Sequence, residues 1–311
     1  QNLVDRDFAQ MLNHVMDFEW EVDQDFAGFF DDLAHFRDPR GNVKKFDELN
    51  GFRKIIIQRG EMGAGLLQSV RWHRQNKSTW RNWAQIDGRG RVYTQGYLHP
   101  AGGEFVRPFL NTAKAKAINT EVLNELRIQL GNLTGEAFSV LTNEGRLRSF
   151  NANEKAFREL GEMLLSKTQR DRRIREFLEH PLVQAIEPEE LPKLARFALE
   201  YTRIYNHVDG DFNNTAKLGT YKTKLGNEND ASASGAQLIA LSTRDRALAL
   251  SSNVVATNRK NRLYDLVAER TQADPRFQKM GLDLEFGDLA KGAKGQSMVA
   301  FYGAGQVTQA A

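Results

Sequence analysis

Helical patterning is the feature that most constrains how this 311-residue sequence can fold. Its helical segments combine Glu, Lys and Arg with apolar residues, mostly at three- and four-residue steps, which is typical of amphipathic helices. Such helices are predicted over 1–36 (one or two helices), 120–130, 154–168, 171–179, 189–205, 236–249, 261–271 and 288–303. Two short β-like runs fall within 80–98, and 209–229 predicts a loop or a short strand. We therefore expect an α+β fold that is predominantly helical.

Composition excludes several classes of protein. Hydrophobic residues at 41%, charged residues at 27% and only 7 prolines are typical of a globular chain and not of a disordered one. No apolar run approaches the ~18–20 residues of a membrane span, so no membrane partner is expected. The absence of cysteine excludes a disulfide framework, a thiolate zinc site and a cysteine nucleophile. A net charge of +3 is too small to indicate a polyanionic partner by itself.

A turn rich in glycine and arginine, Asp87-Gly88-Arg89-Gly90-Arg91, separates the two β-like runs. Glycine lets the backbone turn sharply and approach a ligand closely, and the guanidinium groups of Arg89 and Arg91 suit phosphate oxygens. A solvated hairpin tip can have the same composition. The turn is therefore a candidate nucleic-acid contact, with an ordinary hairpin as the alternative.

Asp230 opens a run of small residues, Ala231-Ser232-Ala233-Ser234-Gly235, directly before an apolar helical pattern. Its carboxylate could hold Mg²⁺, an ion that keeps water and substrate phosphates as its other ligands. Asp and Ser before a helix are also the residues that cap a helix N-terminus. From these residues alone, the metal site and the cap both stay open.

The last predicted helix has Lys291 and Lys294 near its start and Tyr302-Gly303 at its end. At ~100° per residue, Lys291 lies about 20° and Lys294 about 80° from Tyr302 around the helix axis. All three side chains can therefore face one cleft, where the cations would suit a triphosphate and the ring a base or a sugar. An ordinary amphipathic helix with solvated lysines and a Tyr-Gly cap is the alternative.

Taken together, the three segments resemble the motifs of one family. Asp87-x-x-Gly90-Arg91-Val92-Tyr93, Asp230-x-Ser232-x-Ser234-Gly235-x-Gln237 and Lys294 followed eight residues later by Tyr302-Gly303 occur in that order. They are similar to the arginine-turn motif, motif A and motif B of single-subunit DNA-directed RNA polymerases, the bacteriophage and mitochondrial type. Segments 109–118, 126–128 and 195–201 resemble the linking segments of the family. The resemblance covers 80–303.

The resemblance implies a right-hand polymerase fold, of which this sequence would supply the palm and fingers portion. Residues 1–79 would form an N-terminal helical region. Residues 80–235 would contain the arginine-turn hairpin, a helical layer and the start of the palm, and 236–311 the fingers region with the motif B helix. Motif C, which carries the second metal-binding aspartate in this family, is absent from the sequence.

The resemblance also implies a two-Mg²⁺ mechanism of nucleotidyl transfer. Asp230 would be the first metal-binding carboxylate, with the backbone carbonyl of Ala231 as a further ligand. Arg89 and Arg91 would contact the RNA–DNA hybrid or the template backbone. The expected partners are therefore a DNA template, the RNA product and nucleoside triphosphates.

The incoming nucleotide would lie against the motif B helix. The resemblance assigns Lys294 to the triphosphate, and Tyr302 and Gly303 to the nucleotide itself, with Tyr302 helping to distinguish ribose from deoxyribose. One position departs from the family pattern, since Ala290 stands where an arginine is usual. Lys291, one residue later, is the candidate substitute.

Because motif C is missing, we expect these residues to be an internal piece of a longer polymerase that cannot polymerise alone. The remainder of the chain, or a second subunit, would carry motif C. Nothing in the sequence resembles a transit peptide, so we expect a bacteriophage enzyme, located in the cytoplasm of the infected host or in the virion, with an organelle matrix as the alternative.

Two other functions stay open. A family-A-type DNA polymerase has a similar fingers helix, but it usually has a glutamate shortly after the palm aspartate, where this sequence has Ser232, Ser234 and Gly235. A non-catalytic nucleic-acid-binding module would use basic runs such as 170–173 and 259–262. The six histidines show no metal-ligand spacing and no nucleophile partner, so they are assigned no role.

Overall fold

The computed structural model describes residues 10, 12–14, 16–36, 61–86, 92–103, 105–134, 142–187, 190–226, 234–255, 263–281 and 284–301. The chain divides into two compact units. The first contains 1–136 and 146–227, and the second contains 137–145 and 228–311.

A four-stranded antiparallel sheet organises the first unit. Its strands are β1 (Glu19–Val22), β2 (Trp80–Arg81), β5 (Leu110–Ala117) and β6 (Lys222–Leu225), in the order β2-β1-β5-β6. Trp20 lies opposite both Trp80 and Thr112, and Asn111 lies opposite Leu225. The pairing of β5 with β6 shifts register between Asn111 and Lys116, as a β-bulge does. A separate hairpin pairs β3 (Ala84–Ile86) with β4 (Val92–Thr94).

Eight helices with described bounds accompany this sheet in the first unit. They are α1 (Gln24–His35), α2 (Glu61–Asn76), α3 (Thr120–Asn132), α4 (Asn143–Leu165), α5 (Arg170–Glu179), α6 (Pro181–Ala185), α7 (Leu191–His207) and α8 (Thr215–Leu218). A single 3₁₀ turn, Arg107–Phe109, leads into β5.

Aromatic side chains from α1 form the centre of this core. Phe26 and Phe30 lie edge-on to Phe109, with ring centroids 5.0 and 6.0 Å apart, and Phe29 meets Phe177 of α5 at 4.7 Å. All five side chains are buried. Burial of such rings contributes roughly 1.5–3 kcal/mol each, so α1 is a central element of the first unit.

The second unit is helical throughout its described residues. Its helices are α9 (Ser234–Thr243), α10 (Arg246–Ser251), α11 (Leu263–Ala273), α12 (Pro275–Lys279) and α13 (Phe286–Phe301). Asp245 and Asp274 cap α10 and α12 by accepting backbone N–H groups. Helix α13 packs against α11 and α9.

The predicted class is confirmed at its coarser level, since the chain is mostly helical with a small antiparallel sheet. The prediction of helix across 1–36 was wrong for Glu19–Val22, which form β1. Their apolar residues also fit a strand, and pairing with β5 decides between the two. The helix predicted over 236–249 is interrupted at Arg244, which has a positive φ of 56°, and Asp245 then caps a new helix. The predicted domain boundaries at 79/80 and 235/236 stay predictions.

Candidate functional site

Most of the predicted site residues lie outside the described residues. These are Arg89, Arg91, Asp230, Ala231, Tyr302 and Gly303. For these six residues, the structure describes only the neighbouring helices and strands. The roles assigned to the residues stay predictions. Lys291 and Lys294 lie within α13, and Lys294 is exposed.

The arginine turn joins the two strands of a hairpin. Ala84 lies opposite Thr94, Gln85 opposite Tyr93 and Ile86 opposite Val92, so 87–91 connect paired strand ends. The prediction of a hairpin is confirmed for its strands. A short connection between antiparallel strands is where glycine is most useful, because it accepts backbone conformations that other residues avoid.

Asp230 belongs to a connection between a strand and a helix. Strand β6 ends at Leu225 and α9 begins at Ser234. Residues 227–233, which include Asp230, lie outside the described residues. The metal-site and the capping interpretations of Asp230 therefore both stay predictions.

Lys294 lies near the middle of α13, and the helix ends at Phe301, one residue before Tyr302. Its exposed ammonium group is available to a ligand because no ion pair involves it among the described residues. Helix α13 thus presents a cation on a regular, packed element, as the sequence predicts. The predicted common face of Lys291, Lys294 and Tyr302 stays a prediction.

Sequence reasoning missed a buried charged cluster in the first unit. It consists of Asp23, at the N-cap of α1, and Arg196, Glu200 and Arg203 on one side of α7. Arg203 binds Asp23 through both terminal nitrogens, at 2.7 and 3.0 Å. Arg196 reaches Glu200 at 3.2 Å and Asp23 at 3.3 Å. The cluster therefore ties α1 to α7 through charge-assisted hydrogen bonds.

The cluster extends into the central sheet. Arg196 donates a hydrogen bond of 2.6 Å to the side-chain oxygen of Asn111 in β5. The Oε1 atom of Glu200 accepts hydrogen bonds from the hydroxyl groups of Tyr221, at 3.0 Å, and Thr223, at 2.5 Å. Thr223 belongs to β6, the strand that precedes Asp230. Helix α7 therefore holds β6 through Glu200.

The other side of β6 is also fixed. Lys224 forms an ion pair of 2.8 Å with Glu21 of β1, and its carbonyl oxygen accepts a hydrogen bond of 3.2 Å from the hydroxyl group of Thr112 in β5. Consecutive residues of β6 are thus held by different elements, Thr223 by α7 and Lys224 by β1 and β5. Strand β6 is a firmly positioned element, although it has only 4 residues.

Electrostatics keep the cluster ionised. Burial alone would raise the pKa of Asp23, but Arg196, Arg203 and the backbone N–H of Phe26 outweigh burial and hold its pKa well below the usual range. Burial opposes ionisation of Glu200 in the same way, and Arg196, the Thr223 hydroxyl and Arg203 together lower its pKa. The ionised forms of the Asp23 and Glu200 carboxylates therefore stabilise the folded state.

A sequence signal for the cluster exists. Positions 196, 200 and 203 follow the four- and three-residue steps of one helix face, and Asp23 directly precedes a helical pattern. Charged residues at such steps usually indicate a solvated face. Most of the residues around them on α7 are apolar and buried, among them Leu194, Ala195 and Leu199, and so this face is buried as well.

No protein-family model matches the chain, and no curated protein matches it. Among the described residues, no helix has the length and apolar character needed to cross a membrane. The same residues contain no group of three His, Asp or Glu side chains that could hold a metal ion. A functional assignment must therefore start from the motifs and from the elements that carry them.

Proposed function

We propose that this chain contributes palm and fingers residues to DNA-templated RNA synthesis, in which nucleoside triphosphates are added to the RNA 3′ end. The proposal is supported by three motifs that occur in the order typical of the family, each next to a strand or helix that suits its proposed role. The arginine turn joins β3 and β4, Asp230 stands between β6 and α9, and Tyr302 directly follows α13.

The proposed metal is Mg²⁺, with the carboxylate of Asp230 and the carbonyl of Ala231 as its ligands. When bound, Mg²⁺ neutralises phosphate charge and favours ionisation of the attacking hydroxyl group. The single carboxylate of this segment supplies only part of the ligands that Mg²⁺ needs, so a second carboxylate is expected from motif C. Strand β6, which ends five residues before Asp230 in the sequence, is itself held by α7, β1 and β5.

The proposed nucleotide contacts lie on α13. Lys294, exposed on a helix that is itself packed against α11, would bind the triphosphate, together with Lys291, three residues earlier in the sequence. Tyr302 and Gly303 would close over the sugar and base. Arg89 and Arg91 would grip nucleic-acid phosphates from the hairpin turn, where the planar guanidinium group can form two parallel hydrogen bonds.

The test is template-directed incorporation of labelled nucleotides by the intact polymerase that contains these residues. We expect incorporation to require Mg²⁺ and a DNA template, and to prefer ribonucleotides over deoxyribonucleotides. Tyr302→Phe should relax the sugar preference while retaining incorporation, and the 311-residue chain alone should incorporate nothing.

Each other outcome contradicts the proposal in a different way. A preference for deoxyribonucleotides would indicate the DNA polymerase alternative. Nucleic-acid binding without incorporation by the intact protein would indicate a binding module. Incorporation by the isolated chain would refute the expectation that motif C must be supplied from elsewhere.

A further inference from the structure

The hairpin formed by β3 and β4 has one face with an unusual set of side chains. The antiparallel register continues one pair beyond the strands, because the N–H of Gln95 donates to the carbonyl of Trp83 at 2.8 Å. Since side chains alternate along a strand, Trp83, Gln85, Tyr93 and Gln95 share one face. All four are exposed, whereas Ala84 and Thr94 on the opposite face are only partly so.

Trp83 is the most exposed of the large apolar side chains that the structure describes, at 79%. Within the same residues, its indole makes no ring contact and no hydrogen bond. Trp80, three residues earlier, differs in this respect, since its ring packs on His73 and its N–H donates to the carbonyl of Leu98 at 3.1 Å. Trp83 therefore does not contribute to the core, and its ring is open to a binding partner.

The second ring on this face lies diagonally across the hairpin from Trp83. Tyr93 is 41% exposed and pairs with Gln85, while Trp83 pairs with Gln95. Diagonal positions of a ladder lie roughly 7–8 Å apart, which is within reach of aromatic side chains. Two rings and two amide groups thus form one mixed surface without a carboxylate.

The chemistry of this surface suits unpaired bases. Aromatic rings stack on any base, and side-chain amides can hydrogen-bond to the base edges that pairing would otherwise occupy. Arg81 is paired with Glu19 at 2.9 Å, but the turn between the strands still has two arginines, Arg89 and Arg91, against one aspartate, Asp87, so its charge is complementary to a phosphate backbone. Aromatic side chains are also enriched in protein interfaces, so association between copies of the chain is included as an outcome of the test.

We infer that the exposed face of the hairpin, which carries Trp83, Gln85 and Gln95, binds single-stranded DNA by stacking a base on Trp83. The choice of DNA over RNA rests on the proposed function, in which the DNA template is the strand that arrives unpaired. The stacking itself does not depend on catalysis.

The test is binding of a fluorescein-labelled oligo(dT) to the 311-residue chain, followed by fluorescence anisotropy. Replacing Trp83 by alanine should weaken binding by roughly tenfold, as the loss of one stacking contact does. Trp83→Phe should restore most of the affinity. Trp72→Ala is the matched control, because it removes another exposed tryptophan from helix α2 and should leave binding unchanged.

Two further measurements separate base stacking from binding through phosphate charge alone. An abasic oligonucleotide should bind the wild type as weakly as oligo(dT) binds Trp83→Ala, and the salt dependence of binding should be the same for both proteins. Equal binding of oligo(dT) by the wild type and by Trp83→Ala would overturn the inference. It would also be overturned if Trp83→Ala weakened the binding of oligo(U) but not the binding of oligo(dT).

Self-association is the remaining outcome. If Trp83→Ala converts a dimer of the chain to monomers without changing DNA binding, the face is a contact between copies and the inference is refuted. The test is also independent of catalysis: loss of nucleotide incorporation with intact Trp83-dependent binding would refute the proposed function alone.

Discussion

The charged residues of α7 and of α13 differ in what surrounds them. On α7, Arg196 and Glu200 are almost completely buried, with 1% and 4% of their side chains exposed, and both have several partners. On α13, Lys294 is exposed and pairs with none of the described residues. Charges that are already neutralised position the backbone, whereas an exposed charge on a packed helix stays available to a ligand.

The largest expected effect comes from breaking the buried cluster. Arg196→Met leaves Asp23 and Glu200 buried with one fewer cation, and breaking a buried pair in this way costs about 3–5 kcal/mol of unfolding free energy. The measurement is urea denaturation followed by tryptophan fluorescence, which reports on the first unit because all 4 tryptophans belong to it.

A matched control for this change lies on α5. Arg172 and Glu176 have the same spacing of four residues, but their side chains are 68% and 47% exposed. Arg172→Met should therefore change the unfolding free energy by less than about 1 kcal/mol. Similar losses in the two variants would show that burial is not what distinguishes the two pairs.

The next effect depends on pH. The pKa of Asp23 is lower in the folded state than in the unfolded chain, so its ionisation stabilises the fold above about pH 4, and this contribution is lost as the pH falls. Asp23→Asn should cost about 2–3 kcal/mol at pH 7. The difference from the wild type should narrow as the pH decreases below about 4.

Thermal unfolding between pH 2 and 7 measures this difference. Glu179→Gln is the control, because Glu179 is an exposed carboxylate at the end of α5. Its stability profile should parallel that of the wild type. A constant gap between the wild type and Asp23→Asn at every pH would contradict the stabilising role of the ionised carboxylate.

A smaller effect concerns the link between the cluster and β6. Thr223→Val keeps the shape of the side chain but removes the hydroxyl group that donates to Glu200, which should cost about 1 kcal/mol. Thr120→Val, at an exposed position at the start of α3, should cost less. Equal stability of Thr223→Val and the wild type in urea would indicate that Glu200 does not fix β6.

The smallest effect on stability is expected at α13. Lys294→Ala should change the unfolding free energy by less than about 0.5 kcal/mol, because surface substitutions away from packed or paired groups usually do. In the intact polymerase, the same change should raise the KM for nucleoside triphosphates. A destabilised variant would show that Lys294 belongs to the fold and would remove it from the proposed site.

Local patterns in the sequence could predict some elements, whereas contacts between distant residues could not be predicted. The helices that became α3, α5, α7 and α11 follow directly from their periodic apolar residues, and the hairpin follows from the glycine-rich turn between two β-like runs. Strand β1 does not follow, because its short pattern also fits a helix and only pairing with β5 decides. The cluster around Arg196 does not follow either, since its partners Asp23, Asn111 and Thr223 come from distant parts of the sequence.

The most direct test of the proposed function is the incorporation of ribonucleotides by the Asp230→Asn variant of the intact polymerase. The variant keeps the size of the side chain but loses the carboxylate charge that Mg²⁺ requires. We predict that incorporation falls by roughly a hundredfold or more while the affinity for template DNA changes little. Asp245→Asn, which changes an exposed aspartate to another good helix cap, should incorporate normally. Wild-type incorporation by Asp230→Asn would contradict the assignment of Asp230 as a metal ligand and, with it, the proposed function of this chain.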